Sequence, residues 1–288
     1  MDYGHCGSDR IGCRREIDMK KIRNFAIAFA CAFFAVVSVP VSAANGTSVT
    51  AAQSAETNQT VASTRTKKQG WVKLKNGKKR YYRDGKYLTG FQKIGKNTYY
   101  FSLKGYMQTG QLKIKKTTYY FSDKGVLEGK KTGSSYYYPS GKKMGKTKAL
   151  DFSAYQNARE IAAKITTSQM TKSQKLERCF KWVMDKPYVL RRPFKNISGW
   201  PAVFANDHFV YGGGDCISDA CAFAYLAKVI GYKNVYVCTD STVADSHGWA
   251  EIDGRVFDPL FAQAKSYSRN YNVPYGVYPL SWVLHVKI

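Results

Sequence analysis

Acidic residues are scarce in this chain: 20 Asp and Glu face 45 Lys and Arg over 288 residues, leaving a net charge of +25. Such an excess draws a protein toward polyanions, whether nucleic acid, anionic lipid or an anionic wall polymer. Cysteine is sparse as well. Of seven, Cys6, Cys13 and Cys31 fall in the N-terminal stretch, leaving Cys179, Cys216, Cys221 and Cys238. Four cysteines confined to the second half of the chain do not make the dense disulfide framework of a small stapled domain. There is no Cys-x-x-Cys knuckle and no calcium-loop pattern. Zinc held by Cys216, Cys221, Cys238 and His247 therefore has the residue types without the spacing, and neither metal nor cofactor is expected. The one apolar run, Phe25 to Val39, is too short for a comfortable membrane span.

That run has a context. Met19-Lys20-Lys21-Ile22-Arg23 precedes it, and Val41-Ser42-Ala43 follows with the small residues of a cleavage site. A basic start, an apolar middle and a small-residue end read as a secretory signal peptide over residues 19–43, cleaved near Ala43; a retained membrane anchor is the competing reading. Residues 1–18 fit no targeting logic and read as a mis-assigned upstream extension. Residues 44–69, rich in Ala, Ser, Thr, Asn and Gln, read as a disordered linker. Export leaves nucleic acid out as a partner and limits membrane contact to export itself. The expected location is secreted, on the wall or cell surface.

Aromatic residues are abundant, with 22 tyrosines among them, and many recur with a period of about 20 residues. Trp71-Val72-Lys73-Leu74 opens a unit running through Tyr81-Tyr82 and Asp84-Gly85 to Gly90. Phe91-Gln92-Lys93-Ile94 opens the next, through Tyr99-Tyr100-Phe101 to Gly110. Gln111-Leu112-Lys113-Ile114 opens a third, through Tyr119-Tyr120-Phe121 to Gly129, and Tyr136-Tyr137-Tyr138 marks a truncated fourth. Each unit reads as a hairpin that cannot bury its aromatics alone, so residues 70–148 are expected to stack as a β-hairpin solenoid.

The pattern resembles the cell-wall-binding repeats of choline- and glucan-binding proteins. That resemblance marks Trp71, Tyr81, Tyr82, Tyr99, Tyr100, Tyr119 and Tyr120 as candidate ligand-binding residues. Cation cages of that family are rich in tryptophan, whereas here only Trp71 remains, with Phe91 and Gln111 in the equivalent places. Between Arg65 and Lys148, 23 Lys and Arg stand against Asp84, Asp123 and Glu128. An anionic polymer such as teichoic acid, or an anionic glycan, is the expected partner. The plainer reading is that the lysines keep a Tyr-rich fold soluble and its edges unpaired.

Residues 149–288 change character. Tyr155, Ala158, Ile161, Ala162 and Ile165 lie at helical spacing within Ser153–Ile165, and Leu176, Cys179, Phe180 and Val183 within Thr171–Met184. Cys179 is therefore a core residue. Gly212-Gly213-Gly214-Asp215-Cys216 ends a loop at an N-cap-type Asp, and Ala220, Phe223, Ala227 and Ile230 continue from Cys216 as a buried stripe ending at Gly231. Cys216 thus sits in the first turn of a helix, where free N–H groups and the helix dipole favour a thiolate. Cys221 turns away from it, and Cys238 lies on an alternating strand. His247 to Ile252 and Arg255 to Asp258 flank Asp253-Gly254, a two-residue hairpin signal. The register pairs Ile252 with Arg255 and Ala250 with Phe257, which makes His247 the diagonal neighbour of Asp258.

A helix-opening Cys, a strand His followed by an aromatic, and a strand Asp resemble the transglutaminase-like superfamily over roughly residues 172–261. The resemblance implies a papain-like α+β domain with Cys216 as nucleophile, His247 as general base and acid, and Asp258 as the residue orienting the imidazole. It implies acyl transfer on a peptide or carboxamide, ending in hydrolysis or in transamidation. Trp200, Asn206 and His208, in the expected loop before Cys216, are candidates for the side-chain half of an oxyanion hole; the Cys216 N–H is the backbone half. His285 falls in an apolar terminal strand. The alternative class is a wall-bound adhesin or peptide-binding scaffold without turnover.

Overall fold

Aromatic pairs and glycine turns set the architecture of the first part of the computed structural model, which describes residues 68–288. The expected extension, signal peptide, cleavage position and all but the end of the linker lie outside the described residues. Strands β1 (Gly70–Lys73), β2 (Lys79–Arg83) and β3 (Lys86–Tyr87) form one antiparallel sheet, and β4 (Gly90–Ile94) pairs with β5 (Asn97–Phe101). Strands β6 (Gly110–Ile114), β7 (Thr117–Phe121), β8 (Leu127–Thr132) and β9 (Ser135–Tyr137) form a four-stranded sheet. The hairpins meet through rings. Trp71 of β1 lies 5.0 Å from the Tyr99 ring and 5.9 Å from Phe101 of β5, while Phe91 of β4 lies 4.8 Å from Tyr119 of β7. Phe101 and Phe121 are fully buried between neighbouring units. Burying a Phe side chain is worth about 1.5–3 kcal/mol, which a single hairpin cannot collect.

The last hairpin runs directly into helix α1 (Lys146–Ile165), seven residues earlier than the apolar spacing indicates. Its first turns are Lys-rich, and Ala149, Leu150 and Phe152 there are too few to show a helical period. The expected boundary between residues 148 and 149 therefore falls inside a continuous helix. Tyr120 and Tyr136 pack on Phe152 of α1 at 5.3 and 5.9 Å. Arg159 of α1 reaches back to Asp123 at 2.9 Å, Glu128 at 2.8 Å and the Phe121 carbonyl at 2.8 Å.

Helix α2 (Lys172–Met184) opens with a capping box between Thr171 and Gln174, and buries Leu176, Cys179, Phe180 and Val183 as the spacing predicts. Helix α3 (Trp200–Tyr211) has Pro201 in its first turn and left-handed glycines, Gly199 and Gly212, at both ends. Helix α4 (Cys216–Val229) is central. The sequence predicts one buried stripe, but α4 is buried from Ile217 through Ala227 on every side. Its neighbours explain this: α1, α2 and α3 cover three flanks and a sheet covers the fourth.

That sheet is antiparallel, in the order β13 (Tyr271–Val273), β12 (Arg255–Phe257), β11 (Gly248–Ile252), β10 (Val235–Thr239) and β14 (Leu284–Lys287). Val235, Val237, Ala250, Ile252 and Phe257 belong to the core that includes α4. Cys238, Trp249 and Val256 alternate to the other face, where they meet Phe261, Val273 and Tyr278. Short helix α5 (Pro259–Ala264) follows β12. The architecture is a mixed α+β domain continuous with antiparallel hairpins. Among the described residues no helix is long and apolar enough to cross a membrane.

Candidate active site

Asp215 caps α4 through its side chain, which accepts the Ser218 N–H at 2.8 Å, so Cys216 is the first helical residue. The thiol is partly exposed, unlike those of Cys179, Cys221 and Cys238, and all four cysteines are free. Burial pushes the Cys179 and Cys238 thiols up to about 12 and raises that of Cys221 well above its ordinary value, leaving them protonated and inert. The Cys216 thiol lies 3.7 Å from the Ser246 carbonyl, next to His247.

His247 is held from several directions. Its backbone N–H donates to Asp240 at 2.8 Å, and the Asp240 N–H returns a bond to the His247 carbonyl at 3.2 Å, closing the loop between β10 and β11. The imidazole stacks on Phe261 at 4.0 Å with planes 17° apart. Nε2 meets Asp258 Oδ2 at 2.7 Å. Burial disfavours the charged ring, but the charges and hydrogen bonds of Asp258 and Cys216 outweigh it, and the His247 pKa is raised well above its ordinary value. The imidazole therefore stands between the sulfur and the carboxylate.

The Asp253-Gly254 turn has both residues at positive φ, 49° and 77°, and pairs Ile252 with Arg255 and Ala250 with Phe257 as predicted. Asp258 itself lies just past the strand and caps α5, taking the Phe261 N–H on Oδ1 at 2.9 Å. Its other oxygen also accepts the Tyr278 hydroxyl at 2.7 Å. Asp240, Phe261 and Tyr278 escaped the sequence reading. An Asp-Pro helix start at Asp258 was readable; Tyr278 and Asp240 reach the site only through folding.

The oxyanion candidates need correction. Trp200, Asn206 and His208 lie on α3 and not in a loop. Trp200 packs 5.0 Å from Phe194 in the core. Asn206 donates to the carbonyls of Leu150 at 3.0 Å and Ala202 at 2.8 Å. His208 is fully buried with Nδ1 2.9 Å from Asp219, and burial, aided by Lys186 and Arg191, pulls its pKa down to about 3.

The zinc grouping of Cys216, Cys221, Cys238 and His247, which the spacing argues against, is not assembled in the fold either. Cys238 meets neither Cys216 nor His247; its sulfur joins the Glu251 carboxylate and the His285 imidazole, all three donor atoms lying within 4.8 Å of one another. His285, expected in an apolar strand, is therefore part of a second polar cluster.

In the repeats, Tyr82, Tyr99 and Tyr120 are buried, Tyr81, Tyr100 and Tyr119 partly so, and Trp71 is 43% exposed. Cations already lie on several rings. Arg80 is 4.6 Å from the Tyr87 centroid and 4.9 Å from Tyr106, and Lys78 is 4.5 Å from Tyr106.

No curated protein matches the chain. Among solved structures, choline binding protein F from Streptococcus pneumoniae is 30% identical over 27% of this chain and 28% of its own, with a TM-score of 0.22. A pneumococcal cell wall endolysin from phage Cp-1, solved with choline, is 29% identical over 26% of this chain and 24% of its own, with a TM-score of 0.21. The chain thus spans about a quarter of the length of these relatives. Residues 88–127 match the choline-binding repeat family, and such a repeat is present in this chain.

Proposed function

We propose that this chain is a secreted, wall-associated thiol enzyme in which Cys216, His247 and Asp258 perform acyl transfer on a peptide or carboxamide. One observation carries the reading: a partly exposed thiol opens a helix beside an imidazole whose far nitrogen is held by a buried carboxylate. The domain from about residue 149 onward is then papain-like and transglutaminase-like, and residues 70–148 form a wall-binding solenoid.

In this mechanism His247 takes the Cys216 proton, giving a thiolate and an imidazolium. The first-turn amides of α4 and the raised His247 pKa both favour that pair. The thiolate attacks the carbonyl carbon, and the Cys216 N–H faces the oxygen on which charge develops. The imidazolium protonates the departing amine, leaving a thioester. Water or a second amine then attacks the thioester, with His247 as base, and restores the thiol. Asp258 holds the imidazole and offsets its charge throughout.

The repeats would hold the enzyme on an anionic wall polymer. Arginine and lysine on Tyr87, Tyr106, Tyr136 and Tyr137 place positive charge where a cationic ligand would need an open ring face, which favours a phosphate or carboxylate ligand.

A thiol-reactive probe tests the triad. Rapid labelling of Cys216 below pH 8, lost in Cys216→Ala and slowed in His247→Ala, supports it; labelling indifferent to His247 overturns it. Incubation with glutamine-containing peptides, with and without an added amine, separates hydrolysis from transamidation by product mass. Retention on isolated walls at molar salt would overturn the electrostatic anchor.

A further inference from the structure

The sheet face turned away from α4 carries a second set of reactive side chains that the proposed thiol chemistry does not use. Ladder pairing places Cys238 of β10 opposite His285 of β14, and Tyr236, two residues earlier, opposite Glu251 of β11. Three adjacent strands thus deliver a thiol, a carboxylate and an imidazole to one patch, with donor atoms within 4.8 Å of one another.

The patch is ordered by its surroundings. His285 Nε2 lies 3.0 Å from Glu251 Oε2, which also accepts the Tyr275 hydroxyl at 2.8 Å. Trp249 Nε1 donates to the Tyr275 oxygen at 3.2 Å, and Cys238 Sγ lies 3.6 Å from the same oxygen. The His285 ring is held between Tyr236 at 4.0 Å and Trp282 at 4.8 Å, with both planes within 14° of parallel. Cys238 is fully buried, whereas the His285 side chain is 25% exposed, which gives an ion a way in.

We propose that Cys238, Glu251 and His285 bind a zinc ion, with the Tyr275 hydroxyl or a water completing the coordination. One sulfur, one nitrogen and one oxygen suit zinc, whereas calcium and magnesium ask for oxygens alone. Zinc bonds of about 2.0–2.3 Å put tetrahedral ligand atoms roughly 3.5 Å apart. His285 Nε2 and Glu251 Oε2, at 3.0 Å, already lie near that spacing, and the Cys238 side chain closes on them by up to about 1 Å. Binding replaces the His285–Glu251 hydrogen bond, and the thiol proton leaves to solvent. Zinc takes the thiolate and not the thiol, so binding releases a proton and tightens as pH rises. The bound ion ties β14 to β10 and β11. It also steadies Tyr275, three residues before the Tyr278 that bonds Asp258.

The test uses the intact chain, loaded with zinc or with cobalt(II), then dialysed and measured for metal per chain. The expected result is one ion per chain, a thiolate-to-cobalt charge-transfer band, and a melting temperature that rises with free zinc. Cys238→Ser loses the ion, His285→Ala weakens it by about tenfold or more, and Cys216→Ala leaves both stoichiometry and band unchanged. A chain that holds less than about a tenth of an equivalent overturns the proposal. So does a cobalt band that disappears in Cys216→Ala, a result that does not depend on the folding of any Cys238 variant.

Discussion

His247 Nε2 and Asp258 Oδ2 are 2.7 Å apart at the end of a hairpin whose register is set by two residues, Asp253 and Gly254. The imidazole lies between that carboxylate and Cys216, and the carboxylate is itself fixed by Tyr278 and the Phe261 N–H. Asp258→Asn keeps the shape but removes the charge and reverses the tautomer preference. The expected loss in acylation is about 10³–10⁴-fold. Tyr278→Phe keeps the carboxylate and should cost only about tenfold, since one positioning hydrogen bond is worth roughly 1–1.5 kcal/mol. Both are read as second-order labelling rates of Cys216.

The raised His247 pKa gives a signed pH dependence. An imidazole whose folded pKa exceeds its unfolded value, about 6.5, contributes stability fully present below that value. That contribution is lost as pH rises through the folded pKa. Thermal stability should therefore decline from pH 6.5 into the alkaline range, and His247→Gln should flatten the decline. Melting temperatures in a series of buffers check this. A wild-type profile parallel to the variant's would count against a charged His247.

Local chemistry was legible in the sequence and long-range geometry was not. Asp215 before Cys216 and the Asp253-Gly254 turn act within a few residues, so helix start and hairpin register could be read directly. Helix α3 could not be read, because Trp200 to Tyr211 is apolar on nearly every side and shows no polar face against which a period stands out. That is why Trp200, Asn206 and His208 were expected in a loop. The cluster of Cys238, Glu251 and His285 depends on β14 pairing with β10, a contact spanning about 47 residues of chain that no local pattern encodes.

Gly213 precedes the cap of α4 with φ at 153°, and a methyl group there would strike the Pro187 carbonyl and ring. Gly213→Ala should therefore shift the Gly214–Val189 backbone pairing and, with it, the start of α4. A destabilisation of about 1–3 kcal/mol is expected. Cys216 labelling should slow even at temperatures where circular dichroism shows the variant fully folded. Gly231→Ala, in open space after the helix, is the control, since it carries a positive φ but no collision.

Arg159 joins the repeats to the α+β domain more specifically than the charge pattern suggests. Its guanidinium, on α1, spans Asp123, Glu128 and the Phe121 carbonyl, and these two acids are among the few in a basic segment. The Asp123 side chain is 96% exposed, so that pair adds little on its own. The greater part comes from the less exposed Glu128 and from the carbonyl that the guanidinium satisfies. Arg159→Ala should cost about 1–2 kcal/mol. It should do so locally, releasing the hairpins from α1 while α4 and its sheet stay folded. Limited proteolysis reads the outcome: faster cleavage near residues 122–146, with Cys216 labelling retained, is the expected result. Equal acceleration of cleavage throughout the chain would mean that Arg159 supports the whole fold and not the junction alone.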